Sequence, residues 1–303
     1  MEPTQPALCL SPCPSALIRV KRMLKPMDDL TRLRDAVRAW TRDGLRVGFV
    51  PTMGNLHEGH FALVRAIRER CDRVVASVFV NPTQFGPHED FGRYPRTLEA
   101  DAAGLHAAGC DLLWAPDVAT MYPLGLDAVV QVRVPGITEV LEGAHRPGHF
   151  DGVATVVARL FNQVRPDVAA FGRKDYQQLA VIRHLVTDLA FGIELLAVPT
   201  ERASDGLALS SRNQYLSADE RAAAPVLYRQ LQAMRDAVRA ETPIEQVERD
   251  ALDALRAAGF VPDYAVVRTP ALAQPTDAAG ARVALVAARL GTTRLIDNLE
   301  FDA

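Results

Sequence analysis

From Leu30 to Val198 the hydrophobic positions switch repeatedly between helical spacing and short continuous runs. Apolar residues recurring every three or four positions predict an amphipathic helix over Asp29 to Asp43. Further helices are predicted over His60 to Arg70, Leu98 to Ala108, Gly152 to Val164 and Tyr176 to Ala190. Between them, runs rich in Val, Leu, Ile and Phe predict strands at Leu45 to Val50, Arg73 to Val80, Asp111 to Trp114, Asp167 to Phe171 and Ile193 to Val198. These runs are near-continuous rather than alternating, so the strands should be covered on both faces. That pattern belongs to a parallel sheet with helices on each side. The expected fold is α/β, with a Rossmann-like, doubly wound parallel sheet in the N-terminal part.

The pattern changes after Asn213. Two long helices rich in Ala, Arg and Glu are predicted at Ala218 to Ala240 and Pro243 to Ala258, followed by strands at Asp263 to Arg268, Arg282 to Ala288 and Thr293 to Ile296. A smaller α+β C-terminal domain over 205–303 is therefore expected after a first domain over 24–204. Residues 1–23 contain four prolines and an apolar stretch broken by Pro12 and Pro14, with the positive charges after it. A signal peptide has the opposite order and an unbroken apolar core. The expectation is a disordered extension, or a working start at Met23 or Met27. No internal repeat of fixed period is visible.

The 303 residues are 49% hydrophobic, enough for two buried cores. A net charge of -3, from 34 Lys+Arg against 37 Asp+Glu, lacks the overall basic field that draws proteins to nucleic acid. No apolar run approaches the roughly 20 residues of a membrane span. Cys9, Cys13, Cys71 and Cys110 show no CxxC pairing and are expected to be reduced and structurally minor, which fits a cytoplasmic location.

Chemistry concentrates in four loops, each following a predicted strand. In the first, Pro51-Thr52-Met53-Gly54-Asn55-Leu56-His57-Glu58-Gly59-His60, two histidines stand three apart at a helix start, near unpaired backbone N–H groups. Such a loop suits phosphate oxygens, and Gly54 and Gly59 permit a tight turn and close approach. The alternative, a helix-capping histidine with a surface neighbour, is disfavoured by the H-x-G-H spacing directly after a strand. In the second loop, Asn81 and Gln84 offer amides to a hydroxylated carboxylate, or equally to their own backbone. In the third, Gly172-Arg173-Lys174-Asp175 could neutralise phosphate and hold a ribose or Mg²⁺, with Gln178 one helical step further; a capping Asp beside a solvated Arg-Lys pair is the plainer possibility. In the fourth, Leu209-Ser210-Ser211-Arg212 follows a glycine turn and could wrap a triphosphate, or be a polar linker.

H-x-G-H at a strand-to-helix junction resembles the signature of the nucleotidyltransferase superfamily. The four loops in this order, with the late stretch Ala287 to Asn298, resemble the pantothenate synthetase (pantoate-β-alanine ligase) family from about Leu30 to the chain end. The resemblance implies an enzyme that condenses pantoate with β-alanine through a pantoyl adenylate, using ATP and Mg²⁺. It assigns ATP contacts to Met53, Gly54, Asn55, Leu56, His57, Glu58, Gly59 and His60, to Gly172, Arg173, Lys174 and Asp175, and to Glu201, Leu209, Ser210, Ser211 and Arg212. Among these, His57, His60, Lys174, Ser210, Ser211 and Arg212 are the implied catalytic groups, while Gln84, Gln178 and Asn81 are the implied pantoate and β-alanine contacts. Mg²⁺ is implied mainly on the ATP phosphates, with no certain protein ligand. A cytoplasmic homodimer is also implied, with Gly143 to His149 resembling a mobile loop over the site. Three positions depart from the family pattern: Leu209 stands where Met is usual, Arg173 where Glu is common, and Glu201 where a small apolar residue touches adenine.

Overall fold

A computed structural model describes residues 24–86, 91–277 and 279–303; the extension expected over 1–23, with Cys9 and Cys13, lies outside the described residues. A two-residue strand, β1 (Pro26–Met27), precedes helix α1 (Leu30–Arg42) and is too short to leave a periodicity. Asp29 starts α1 by accepting the Arg32 N–H at 3.0 Å, and Leu33 and Val37 turn inward. There follow β2 (Val47–Thr52), α2 (Glu58–Arg68), β3 (Arg73–Val78), α3 (Leu98–Ala108), β4 (Leu112–Trp114) and two short helices, α4 (Val118–Met121) and α5 (Glu142–His145). The N-terminal part closes with α6 (His149–Val164), β5 (Val168–Gly172), α7 (Tyr176–Asp188) and β6 (Glu194–Val198).

These six strands form one parallel sheet in the order β1-β4-β3-β2-β5-β6. Strands β2 and β3 are buried on both faces, as their unbroken apolar runs require. The direction of winding reverses between β2 and β5, so the loops leaving their carboxyl ends diverge and open a crevice. Helix α6 lies under that crevice with twelve of its sixteen residues buried. It begins at His149 rather than Gly152, so the segment expected as a loop is divided between α5, a left-handed Gly148 and the first turn of α6. A Cβ on Gly152 would lie 2.4 Å from the Thr83 carbonyl oxygen, so the absence of a side chain there lets α6 seat the 3₁₀ turn at Pro82–Gln84.

The C-terminal part contains α8 (Ala218–Ala223), α9 (Val226–Arg239), α10 (Ile244–Ala257), and the antiparallel strands β7 (Val261–Arg268), β8 (Ala281–Leu290) and β9 (Thr293–Asp302). The single helix expected over Ala218 to Ala240 is two, because Pro225 lacks an N–H and crowds the preceding turn. Helices α9 and α10 cover one face of this sheet through Leu231, Met234, Leu255, Val267 and Val286. Its other face meets α7, where Val266, Val283 and Leu285 pack on Tyr176 and Ala180. Cys71 and Cys110 are free and buried, and burial pushes the Cys110 thiol up to about 12. Among the described residues, no helix is long and apolar enough to cross a membrane.

Candidate active site

The crevice at the carboxyl ends of β2, β3, β5 and β6 is one cavity lined by Met53, His57, Gly59, His60, Gln84, Lys174, Asp175, Gln178, Glu201 and Leu209 through Arg212. All four predicted loops therefore meet. The first reaches it by a left-handed turn at Gly54 and Asn55, with φ of 89° and 52°. Behind that turn the carboxylate of Asp101, 2% exposed, accepts the Asn55 and Leu56 N–H groups at 3.0 and 2.8 Å. No sequence motif assigns a role to Asp101. Its only signal is an acidic residue in the first turn of α3, a place where acids are common without any function.

His57 and His60 both cap α2 and both face the cavity, so the two competing readings of the pair hold together. His57 Nδ1 accepts the Gly59 N–H at 3.2 Å, and His60 Nδ1 accepts the His57 N–H at 3.3 Å, a reciprocal capping box. An Nδ1 that accepts carries no proton, so in each neutral ring the proton sits on Nε2. Burial pulls His57 down to about 4, helped by the charge of Lys174. His60 is pulled down to about 3 by burial, then by His57 and Lys174. At neutral pH the loop thus presents two neutral N–H donors. The intervening glycine leaves the His57 ring its place, since a Cβ at position 59 would lie 3.0 Å from His57 Cε1 and push the ring aside.

The second loop divides the two possibilities between its two amides. Asn81, 1% exposed, is taken up internally: its Oδ1 accepts from Tyr122 Oη at 2.6 Å and from the Thr83 N–H, and its Nδ2 donates to Gln84 Oε1 at 3.1 Å and Gly152 O at 3.2 Å. Asn81 does not line the cavity; it orients Gln84, which does. Gln84 Nε2 also donates to Met53 Sδ at 2.8 Å. The third loop divides similarly. Lys174 faces the cavity with Asp175 Oδ1 at 3.8 Å from its Nζ, whereas the Arg173 side chain pairs with Glu300 at 2.9 Å and lies outside the lining. Asp175 stands at the cap of α7 without a side-chain capping bond, leaving its carboxylate available.

In the fourth loop, the Leu209 N–H donates to the Glu201 carbonyl at 2.9 Å, and Ser210 Oγ accepts the Arg212 N–H at 3.3 Å. Ser210, Ser211 and Arg212 all line the cavity. Gly54, Asn55 and Leu56 form the turn behind it, and exposed Glu58 pairs with Arg65, so these four are outside the lining. Arg146 and His149 complete the wall. His149 Nδ1 must donate to the Gln84 carbonyl at 2.8 Å, leaving Nε2 to accept from Arg146 at 3.0 Å, the opposite tautomer to the other two histidines.

Neutral N–H donors and a lysine, set at the switch point of a parallel sheet, suit the charge and shape of a nucleotide polyphosphate. Fold and site together define a nucleotide-dependent α/β enzyme with an H-x-G-H loop. Comparison with known proteins narrows the class. The family model for Pantoate-beta-alanine ligase matches residues 25–300, and the chain belongs to that family. It is 64% identical over 280 residues to the pantothenate synthetase of Xanthomonas euvesicatoria, covering 92% of this chain and all of that one. It is 61% identical over 279 residues to that of Stenotrophomonas maltophilia, with the same coverage. The pantothenate synthetase crystal structure from Thermus thermophilus superposes with a TM-score of 0.85 at 51% identity, over 91% of this chain and 99% of that one. The pantoate-beta-alanine ligase of Francisella tularensis, complexed with Beta-gamma ATP and Beta-alanine, gives a TM-score of 0.76 at 31% identity, over 91% and 97%.

Proposed function

We infer that the chain condenses pantoate with β-alanine using ATP, giving pantothenate, AMP and pyrophosphate through a pantoyl adenylate. Family membership supports the overall reaction. The observation that carries the residue roles is the pair of neutral imidazoles beside Lys174 in one crevice. A carboxylate is a poor acyl donor, so the pantoate carboxylate must first attack the α-phosphorus in line. Charge then grows on the departing pyrophosphate. The Nε2–H groups of His57 and His60, the Lys174 ammonium, the Ser210 and Ser211 hydroxyls and Arg212 are the donors that meet it. Gln84 and Gln178 bind the hydroxylated acid, with Asn81 acting through Gln84. Arg146 and His149 shield the mixed anhydride from water until the β-alanine amine attacks it.

Mg²⁺ fits this site as an ion carried by the phosphates. Asp175 and Glu201 are the carboxylates in the lining, and among the described residues no cluster of three or more His, Cys, Asp or Glu could hold a metal. Bound there, it would supply further charge neutralisation on the phosphate oxygens. We take 24–204 as the catalytic unit and 205–303 as its lid. We take the assembly as a cytoplasmic homodimer, with exposed Leu124, Leu126 and Val130 supplying apolar surface for it.

ATP–pyrophosphate exchange tests the reading: it should require pantoate and not β-alanine. Pantoate labelled with ¹⁸O in its carboxylate should deliver one labelled oxygen to AMP as the amide forms. Label in inorganic phosphate, with ADP as co-product, would overturn attack at the α-phosphorus.

A further inference from the structure

The stretch Ala287 to Asn298 supplies none of the substrate contacts assigned above, yet its last residues reach the catalytic loops from the other sheet. Asn298 sits in β9 opposite Leu285 of β8 and is buried. Its carboxamide nitrogen donates to two consecutive main-chain carbonyls of the loop after β5, Arg173 O at 3.0 Å and Lys174 O at 2.7 Å. One nitrogen with two N–H groups satisfies both carbonyls without placing a charge there. The loop is otherwise tethered within its own unit by the Arg173 N–H to the Val198 carbonyl at 2.8 Å, and Asp175 adds no side-chain cap.

Asn298 is itself held firmly. Its N–H donates to Asp297 Oδ1 at 2.8 Å, and the same carboxylate takes the Arg202 guanidinium in a two-pronged pair at 2.6 and 2.9 Å. Arg202 lies 3.8 Å from the centre of the Tyr228 ring and begins the segment that leads to Ser210 through Arg212. One corner of β9 therefore anchors the backbone of the lysine loop and the root of the serine-arginine loop.

We propose that Asn298 is a positioning residue for Lys174. By fixing the carbonyls on either side of the Lys174 Cα, it sets where the ammonium stands over the phosphates, so that adenylation depends on β9 being docked against the β5 loop. The inference rests on the reading of Lys174 as a phosphate ligand. Such a role differs from plain structural support, because it concerns the half-reaction in which charge moves to pyrophosphate and leaves β-alanine attack on a finished adenylate untouched.

The test compares the two half-reactions in the full-length protein. In Asn298→Ala, the kcat of pantoate-dependent ATP–pyrophosphate exchange should fall about 10- to 100-fold, the scale of a displaced catalytic group, with the pantoate KM unchanged. Conversion of chemically prepared pantoyl adenylate and β-alanine to pantothenate should proceed at the wild-type rate, which also shows that the variant is folded. Should the alanine variant fail to fold, Asn298→Ser keeps one donor and should show a smaller loss confined to the same half-reaction. The double variant Lys174→Ala/Asn298→Ala should be no slower in exchange than Lys174→Ala alone, since a residue acting through Lys174 has nothing left to position. Equal loss in both half-reactions, or multiplying losses in the double variant, would overturn the role of Asn298. Full exchange activity in Lys174→Ala would instead overturn the reading of Lys174.

Discussion

An imidazole whose Nδ1 accepts a helix-capping N–H resists a second proton, and for His57 and His60 burial adds to that resistance. In an unfolded chain each would titrate near 6.5, whereas in the fold the values are about 4 and about 3. The unfolded chain thus binds protons that the folded site refuses, and these two residues make stability fall as pH drops from 6.5 towards 3. Their contribution is complete above 6.5. Carbon-13 NMR of labelled histidine should show the His57 and His60 rings hardly moved between pH 8 and 5. A midpoint near 6.5 for either would show that the neutral-donor assignment is wrong. Gly59 offers a second residue-scale prediction. Alanine is favoured over glycine in a helix by up to ~1 kcal/mol, so Gly59→Ala should keep or slightly raise the melting temperature. The new Cβ nevertheless meets the His57 ring at 3.0 Å, so exchange should slow about tenfold or more. Unchanged exchange would mean that the ring position is not critical.

At the scale of elements, periodicity and the H-x-G-H loop made the parallel sheet and the four strand-end loops legible, because runs covered on both faces and glycine-rich turns leave local marks. Asn81 and Arg173 were less legible. Whether an amide at a strand end faces a cavity or its neighbours is decided by packing from distant residues, here Tyr122 and Gly152 around Asn81 and Glu300 beside Arg173. The break at Pro225 was a readable local signal masked by Ala-rich helix propensity on both sides. The contact between α6 and the Pro82–Gln84 turn yields a prediction of its own. In Gly152→Ala the added methyl would sit 2.4 Å from Thr83 O and 2.8 Å from Gln84 Cα, forcing helix and turn apart. We expect ~1–3 kcal/mol of destabilisation, typical of overpacking, together with a rise in pantoate KM larger than that for ATP. Denaturant unfolding and steady-state kinetics would check both, and an equal rise in the two KM values would argue against Gln84 as the acid's contact.

At the scale of the whole molecule, the C-terminal sheet is joined to the cavity wall by a second buried polar group. Arg294 of β9 reaches Glu142 at 2.7 and 2.6 Å and Asp263 at 2.6 Å, and Tyr264 Oη donates to Glu142 at 3.0 Å. Glu142 begins α5, directly ahead of Arg146 and His149, so this cluster ties the segment over the site to β7 and β9. Burial alone would push the Glu142 carboxyl up, but Arg294, with Tyr264 and Arg146, outweighs it and holds the group below the ordinary carboxylate range. In the wild type its stabilising contribution is therefore present above about pH 4.5 and is lost as pH falls through the depressed value. Arg294→Met removes the outweighing partner and leaves a buried carboxylate that should cost ~3–5 kcal/mol near pH 8. The sign of the pH dependence then reverses: with burial dominant, the Glu142 value in the variant rises above that of the unfolded chain, and the stability deficit should shrink as the pH is lowered towards 5 and the carboxyl takes up a proton. Glu142→Gln/Arg294→Met, which removes the Glu142 charge but leaves Asp263 without its partner, should recover part of the loss at pH 8 and show a weaker pH dependence. Unfolding of the three proteins at pH 8 and pH 5 would decide it, and a deficit in Arg294→Met that is the same at both would show that Glu142 is not the group left uncompensated.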